Sequence, residues 1–186
     1  SYCNKSTDVV VIGGGVSGAS TLYHLAKKGI TNTILLEKHK LTAGTTWHSA
    51  GLFWNCRPNY RDIEISLKTK ESLNTLEKET GIDVGWINNG GLFIATTHER
   101  LDEYKRMHTL SKYYNIDSYI LDKNDIKNLY PLMNVDDVSG GLYCKDDGTI
   151  EPDGITRAYT KYATSKGAKV IENCQVNDIL ISNNRI

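Results

Sequence analysis

Charge excess, long apolar runs and paired cysteines are what this sequence lacks. Its 22 Lys and Arg are matched by 22 Asp and Glu, so the formal net charge is zero. That argues against a nucleic-acid binder, which shows a basic excess, and gives no support to electrostatic attachment to a membrane. No apolar run approaches the roughly 18–20 residues that a membrane-spanning helix needs. The cysteines Cys3, Cys56, Cys144 and Cys174 form no C-x-x-C pair, so neither a zinc site nor a dithiol motif is expected and a reducing compartment is the default. No two histidines stand four apart, so no metal site is expected. The first residues hold neither a signal-peptide core nor an Arg-rich transit segment. Any such signal is absent or precedes Ser1.

What is present is an alternation of strand and helix. "DVVVIGGG" (Asp8 to Gly15) is a β-branched apolar run that breaks into glycines, the pattern of a buried parallel strand. "VSGASTLYHLAKKG" follows as a helix with Leu22, Leu25 and Ala26 on one face and two lysines before Gly29. "NTILLEK" reads as a second buried strand. Together they make a β-α-β unit of about 30 residues. Further on, "DIEISLKTKESLNTLEKETG" predicts a helix with Ile63, Leu67, Leu73 and Leu76 inward and Gly81 as its stop. "VGWINNGGLFIAT" is a hairpin candidate, with Asn88 to Gly91 as its turn. "HERLDEYKRMHTLSKYYN" predicts a helix with Leu101, Tyr104, His108 and Tyr114 inward, and "KNDIKNLYPLM" a short helix ended by Pro131. Pro152 suits the first turn of a helix that Gly167 stops. "AKVIEN" then reads as a third buried strand, "QVNDILIS" as a further strand and "SNNR" as a turn. A third strand so delayed, and a last strand without a partner, predict the amino-terminal part of a longer protein.

The glycine run carries the chemistry. Gly13-Gly14-Gly15-Val16-Ser17-Gly18 is G-x-G-x-x-G. Gly13 permits the tight turn, Gly15 lets the backbone approach a pyrophosphate, and Gly18 lets helix and strand pack closely. The helix start then offers free N–H groups and a positive dipole end to an anion. Glu37, at the end of the second strand, is placed to accept hydrogen bonds from ribose hydroxyls and would repel a 2′-phosphate. Lys38 follows it. The motif near the amino end and the late third strand favour FAD over NAD. Val176, after the third strand, is either an ordinary strand valine or a residue that meets the adenine through its backbone.

Beyond the cradle, "LLEKHKLTAGTTWHSAGLFW", "GWINNGGLFIA", "RLDEYKRM", "LYPLMNVDD" and "DGTIEPDG" resemble the dimethylglycine/sarcosine dehydrogenase family of FAD-dependent amine oxidoreductases, from Asp8 to about Ile181. The T-x-W-H-x-A-G stretch is its specific part. The resemblance implies an α/β, Rossmann-like FAD-binding domain of the glycine-oxidase/D-amino-acid-oxidase type with an inserted α+β segment. Expected boundaries are 1–83 for the FAD-binding β-α-β unit and flavin-facing segment, 84–148 for the inserted part of a substrate domain, and 149–186 for the return to the FAD-binding domain. It implies mitochondrial matrix enzymes that demethylate an N-methyl amino acid, such as sarcosine to glycine plus a one-carbon unit. Electrons pass to electron-transfer flavoprotein, and a tetrahydrofolate-binding region accepts the one-carbon unit. Dimethylglycine is the alternative substrate, and a non-catalytic regulatory subunit on the same fold is the alternative role. The resemblance also implies covalent FAD through the histidine of the Trp-His pair, here His48. No catalytic residue is assigned. Glu151 precedes Pro152 where the family often has Asp, a better helix cap.

The chemistry of the segment suits that role. A neutral imidazole nitrogen is a nucleophile able to attack the 8α-methyl carbon of a flavin. Thr45 and Thr46 can donate hydroxyl hydrogen bonds to phosphate or flavin. Ala43, Gly44, Ala50 and Gly51 let backbone lie close to a ring system, and Trp47 and Trp54 can exclude water. Arg57 is a candidate for a substrate carboxylate. Tyr113, Tyr114, Tyr119 and Tyr130 are expected to be partly buried packing residues or to line a substrate pocket.

Overall fold

The computed structural model describes residues 6–181. In chain order the elements are β1 (Val9–Ile12), α1 (Val16–Lys27), β2 (Thr33–Leu36), a single 3-10 turn (Thr46–His48), β3 (Leu52–Phe53), α2 (Tyr60–Thr80), β4 (Gly91–Ala95) and α3 (His98–Tyr113). They continue with β5 (Ser118–Leu121), α4 (Lys123–Leu129), β6 (Gly140–Cys144), β7 (Gly148–Thr149), α5 (Pro152–Ser165) and β8 (Lys169–Ile171). The chain divides into two compact units, one of residues 1–50, 75–85 and 151–186, the other of 51–74 and 86–150. Residues 51–74 therefore fold with the second unit, where sequence reading grouped them with the first.

The first unit is a parallel sheet in the order β1-β2-β8, in register Val9↔Thr33 to Ile12↔Leu36 and Ile34↔Lys169 to Leu36↔Ile171. Its core gathers Val11, Leu22, Ala26, Leu35, Ala163 and Ala168. Alternation on β1 sends Val11 inward and leaves Val10 and Ile12 45% and 55% exposed, so β1 is covered on one face only, not buried throughout as its composition implied. Glycines stop the helices as expected, with φ of +82° at Gly29 and +111° at Gly167, conformations only glycine adopts without strain. Glu151 starts α5 without a side-chain cap, and Pro152 occupies its first turn.

The second unit has an antiparallel sheet, β4-β6-β5, and a short pair, β3-β7. Its core contains Cys56, Ile63, Met107, Ile116, Leu142 and Cys144. The expected hairpin at Asn88–Gly91 does not form, because β4 pairs with β6, far along the chain. The turn residues serve a different contact: the Asn88 amide donates to the Lys145 and Asp147 carbonyls, and Gly90 N–H to Asp147 O. On α3 the fully inward residues are Met107 and Ser111, while Leu101, Tyr104, His108 and Tyr114 are half-buried.

The expected strand over 175–182 is not one across residues 175–181, and Ser182 to Arg185 lie outside the described residues, as does Cys3. Ile179, Leu180 and Ile181 are at least half exposed, and among the described residues no strand pairs with their backbone. Among the described residues, no helix is long and apolar enough to cross a membrane.

Candidate functional site

The glycine turn is built from its backbone. Gly13 sits at φ +106° and donates its N–H to Leu36 O at 2.9 Å, tying the end of β1 to the end of β2. A Cβ on Gly18 would drive into the Gly13 carbonyl oxygen. Gly14, to which sequence reading gave no role, has as little room: a Cβ there would meet Glu37 and Leu41 side-chain carbons at 2.8 Å. Gly15 is the extended N-cap of α1, with no side-chain cap and no acidic residue in the first turn. Apart from the Val16 N–H, which Thr46 Oγ1 accepts, that leaves the amino end of α1 open to an anion.

Glu37 is oriented by two backbone donors, Gly14 N–H at 2.7 Å and His39 N–H at 2.7 Å. Burial acts to raise its carboxyl, but these two N–H groups outweigh it and hold the pKa below the ordinary carboxylate range. It therefore stays an acceptor at neutral pH. A cleft of about 170 Å³ opens beside it, lined by Gly13, Glu37, Lys38, Cys174, Gln175 and Val176 among others. Thus Val176 shares one cleft with Glu37 and Lys38, from which it is far in sequence. Asn173 N–H donates to His39 O and Cys174 N–H to Glu37 O, each at 2.8 Å. These bonds bring the segment after β8 to the end of β2.

Sequence reading missed the residues that hold the next segment. Thr42, buried at φ 68°, donates its N–H to Gly14 O at 3.0 Å and its hydroxyl to Asp153 at 2.6 Å. Glu172 accepts Leu41 N–H at 2.7 Å and pairs with Lys40 at 3.2 Å. The Leu41 N–H, more than Lys40, lowers its pKa. The only sequence signals were polar residues beside a strand end and a helix start.

The 3-10 turn follows. Thr46 Oγ1 accepts the Val16 N–H at 3.0 Å, so the turn is bonded to the amino end of α1. Thr45 is exposed, and its carbonyl accepts His48 N–H at 3.2 Å. His48 is exposed, its ring 3.9 Å from that of Trp47. Trp47 is itself 60% exposed, so within this unit it covers His48 and little else. Ala50 is exposed.

Gly51, at φ 69°, opens the second unit, where its carbonyl accepts Ile150 N–H at 2.8 Å. Trp54 lies edge-on to Phe93 and under the Arg57 guanidinium, 4.5 Å from the ring centre. Arg57 also donates to Trp54 O at 3.2 Å. A pocket of about 350 Å³ in this unit is walled by Phe53, Trp54, Leu92, Phe93, Asp147 and neighbours. Asp147 is 1% exposed: Oδ1 accepts Asn55 N–H at 2.6 Å, while Oδ2 lacks a well-formed hydrogen bond among the described residues. Burial pushes its carboxyl above the ordinary range, against the pull of the Cys144 thiol and Asn55. Tyr113 is 80% exposed and meets Tyr114 edge-on, while Tyr119 and Tyr130 are about half exposed, Tyr119 stacked on Tyr143. Tyr130 lines a smaller pocket with Leu129, Met133 and Tyr143.

Residues 8–186 match the family model "FAD dependent oxidoreductase". The chain belongs to that family. It is 51% identical over 95% of its length to mouse (Mus musculus) mitochondrial sarcosine dehydrogenase, of which it spans 19%. It is 41% identical over 86% of its length to rat (Rattus norvegicus) mitochondrial dimethylglycine dehydrogenase, again 19% of that protein. Among solved structures, glycine oxidase from Bacillus cereus superposes with a TM-score of 0.81 at 25% identity, covering 97% of this chain and 50% of that one. L-proline dehydrogenase from P. horikoshii gives a TM-score of 0.89 at 24% identity, with 97% and 47% covered. The expected α/β flavoprotein fold of the glycine-oxidase type is thereby established.

Proposed function

We propose that this chain supplies FAD binding and flavin attachment to an enzyme that oxidatively demethylates an N-methyl amino acid, sarcosine to glycine plus a one-carbon unit. The observation that carries the reading is the hydrogen bond between the Thr46–His48 turn and the first N–H of α1, which holds a histidine of the T-x-W-H-x-A-G type beside a dinucleotide cradle. The residues fit FAD. Gly14 and Gly18 sit where a Cβ would meet Glu37, Leu41 and the Gly13 carbonyl, so glycine keeps the turn tight; α1 has no acidic residue in its first turn and no cap from its own N-cap residue; and Glu37 is an ionised acceptor beside a cleft.

Within that site the cradle glycines and the α1 amino end hold the pyrophosphate, Glu37 the ribose, and the backbone around Val176 the adenine. Lys38 lines the same cleft, and Thr45, Ala50 and Gly51, near His48 in the chain, would contact the cofactor. Bound FAD supplies the acceptor for a hydride from the substrate N-methyl carbon. His48 would offer a ring nitrogen as the attachment point for a flavin methyl carbon. Arg57, committed to Trp54, is available for a substrate carboxylate only if it leaves that ring. In the same reading electrons pass on to electron-transfer flavoprotein, tetrahydrofolate takes the one-carbon unit, and the protein works in the mitochondrial matrix.

The test is acid precipitation of the full-length protein. The pellet is expected to keep its flavin, and His48→Ala to release it. Flavin found wholly in the wild-type supernatant would sink the attachment. Turnover with sarcosine and with dimethylglycine then ranks the two substrates. The chain is also 30% identical, over 96% of its length, to a mouse pyruvate dehydrogenase phosphatase regulatory subunit. No turnover with either amine and no acid-stable flavin would favour that second, non-catalytic reading.

A further inference from the structure

We propose that Cys56 and Cys144 form an oxidation site, a buried dithiol that hydrogen peroxide closes into a disulfide. This goes beyond the cofactor reading above and does not depend on it, since both cysteines lie in the second unit.

The chain has no C-x-x-C motif, and the fold makes the pair from distant positions. Cys56 lies in the irregular stretch between β3 and α2, two residues after Trp54 and directly before Arg57. Cys144 ends β6, directly across from Ser118 on β5. Both are free, fully buried and members of one core cluster, and their thiols are in hydrogen-bonding contact. A cysteine buried among apolar side chains is inert. These two have polar company. The Cys56 thiol also meets the hydroxyls of Ser111 and Ser118, and the Cys144 thiol meets the Asp147 carboxyl. Ser118 Oγ in turn stands 2.9 Å from His108 Nδ1. Ser111, Ser118 and Asp147 are all buried. A run of polar groups thus crosses the core from His108 to Asp147, where burial alone favours hydrocarbon.

These contacts divide the two sulfurs by role. The hydrogen bond from Cys144, helped by Ser111 and Ser118, lowers the Cys56 pKa against the effect of burial. Cys144, which gives that bond, is raised, by Cys56 first and by burial second. The thiolate is the attacking form of cysteine. Cys56 is therefore the attacking sulfur and Cys144 the resolving one. Access comes from local opening of residues 54–59, which no strand or helix holds. In the first step the peroxide O–O bond breaks. The Cys56 sulfur keeps one oxygen as a sulfenic acid, and the other leaves as water with the thiol proton. In the second step the Cys144 sulfur attacks the sulfenic sulfur. The S–S bond forms, and the hydroxyl leaves as water with the Cys144 proton. The two thiols lose two electrons and the peroxide gains them. The new bond ties the segment that carries Trp54 and Arg57 to the middle strand of the β4-β6-β5 sheet.

The test treats folded full-length protein with hydrogen peroxide, then alkylates it after unfolding and maps the peptides. The expected product is a linked Cys56–Cys144 peptide that dithiothreitol separates. Cys174, partly exposed in the first unit, gauges the exposure to peroxide. Two variants divide the roles, each read with dimedone, which marks sulfenic acid. In Cys144→Val the Cys56 sulfur has no resolving partner. Its mark is expected to exceed that on Cys144 in Cys56→Val at least about tenfold, the scale of one pKa unit. Both core thiols still alkylated when Cys174 is fully oxidised would overturn the proposal and leave them as packing residues. So would a peptide that links either cysteine elsewhere, or a disulfide that forms only after unfolding. Equal marking in the two variants overturns the assignment of Cys56 as the attacking sulfur. The wild-type mapping decides the pairing whether or not either variant folds.

Discussion

Two carboxylates, one in each unit, end in opposite electrostatic states. Glu37 in the first unit is partly exposed and takes two backbone N–H groups at 2.7 Å. Asp147 in the second is 1% exposed, with one oxygen held by Asn55 and the other without a well-formed bond. Glu37 is held below the usual range and Asp147 pushed above it. Burial alone would raise both. What separates them is how many donors the backbone aims at each, and how much water remains to solvate the charge. The first unit presents an ionised acceptor to a cleft. The second buries an acid as part of its own framework.

The largest effect should come from the cradle. Gly18→Ala puts a methyl into the Gly13 carbonyl. The turn and α1 must separate, at about 3 kcal/mol, and flavin retention should fall at least ~100-fold. Retention near the wild-type level, measured on purified full-length protein, would show that the β1–α1 packing is looser than the glycine spacing requires.

The buried acid comes next. Asp147→Ala leaves the Asn55 N–H buried without its acceptor and should cost about 2 kcal/mol. Asp147→Asn keeps an acceptor for that N–H and adds donors where Asp147 Oδ2 and Asn55 Oδ1 both lack partners. At pH 7 it should be at least as stable as wild type, by up to about 1 kcal/mol. The groups acting on the carboxyl are Asn55, the Cys144 thiol and, through its charge, Arg57. Because the folded acid holds its proton more tightly than the unfolded one, wild-type stability falls as pH rises from the ordinary carboxylate value toward the folded value. The advantage of Asn should therefore vanish in acid and grow across that window. Thermal unfolding at a series of pH values reads it, and an Asn variant less stable at pH 7 would contradict the assignment.

The two units were unequally legible in the sequence for the same reason. What depends on neighbours in the chain could be read: the order of strand, helix and strand, the positive φ at Gly13, the close packing at Gly18 and Glu37 at the end of β2. Turn chemistry misled at Asn88–Gly91, because Asn and Gly suit any tight backbone path and the partner of β4 is β6. The clamps could not be read at all. Thr42 with Asp153, Glu172 with Leu41, and Asn55 with Asp147 join residues 111, 131 and 92 positions apart. Their side chains carry no local pattern that marks a partner. Gly14 hid in plain view, because the motif leaves its position free while Glu37 and Leu41 do not.

The smallest effect sharpens the comparison most. Glu37→Gln keeps an oxygen for one N–H, of His39 or Gly14, and sets an amide against the other, removing the charge without emptying the site. Because the folded carboxylate is held below its ordinary pKa, its stabilising share is complete above that ordinary value and is lost as pH falls through the folded one. At pH 7 the Gln variant should lose about 0.5 kcal/mol of stability, a screened and partly exposed contribution. At acid pH, where both side chains are neutral, the difference should disappear. Asp147→Asn approaches wild type in the same direction along the pH axis but from the stable side. Two amides that replaced two carboxylates would then give pH profiles of opposite sign. If both profiles ran the same way, donors would not be what distinguishes the two sites, and burial alone would have to account for them.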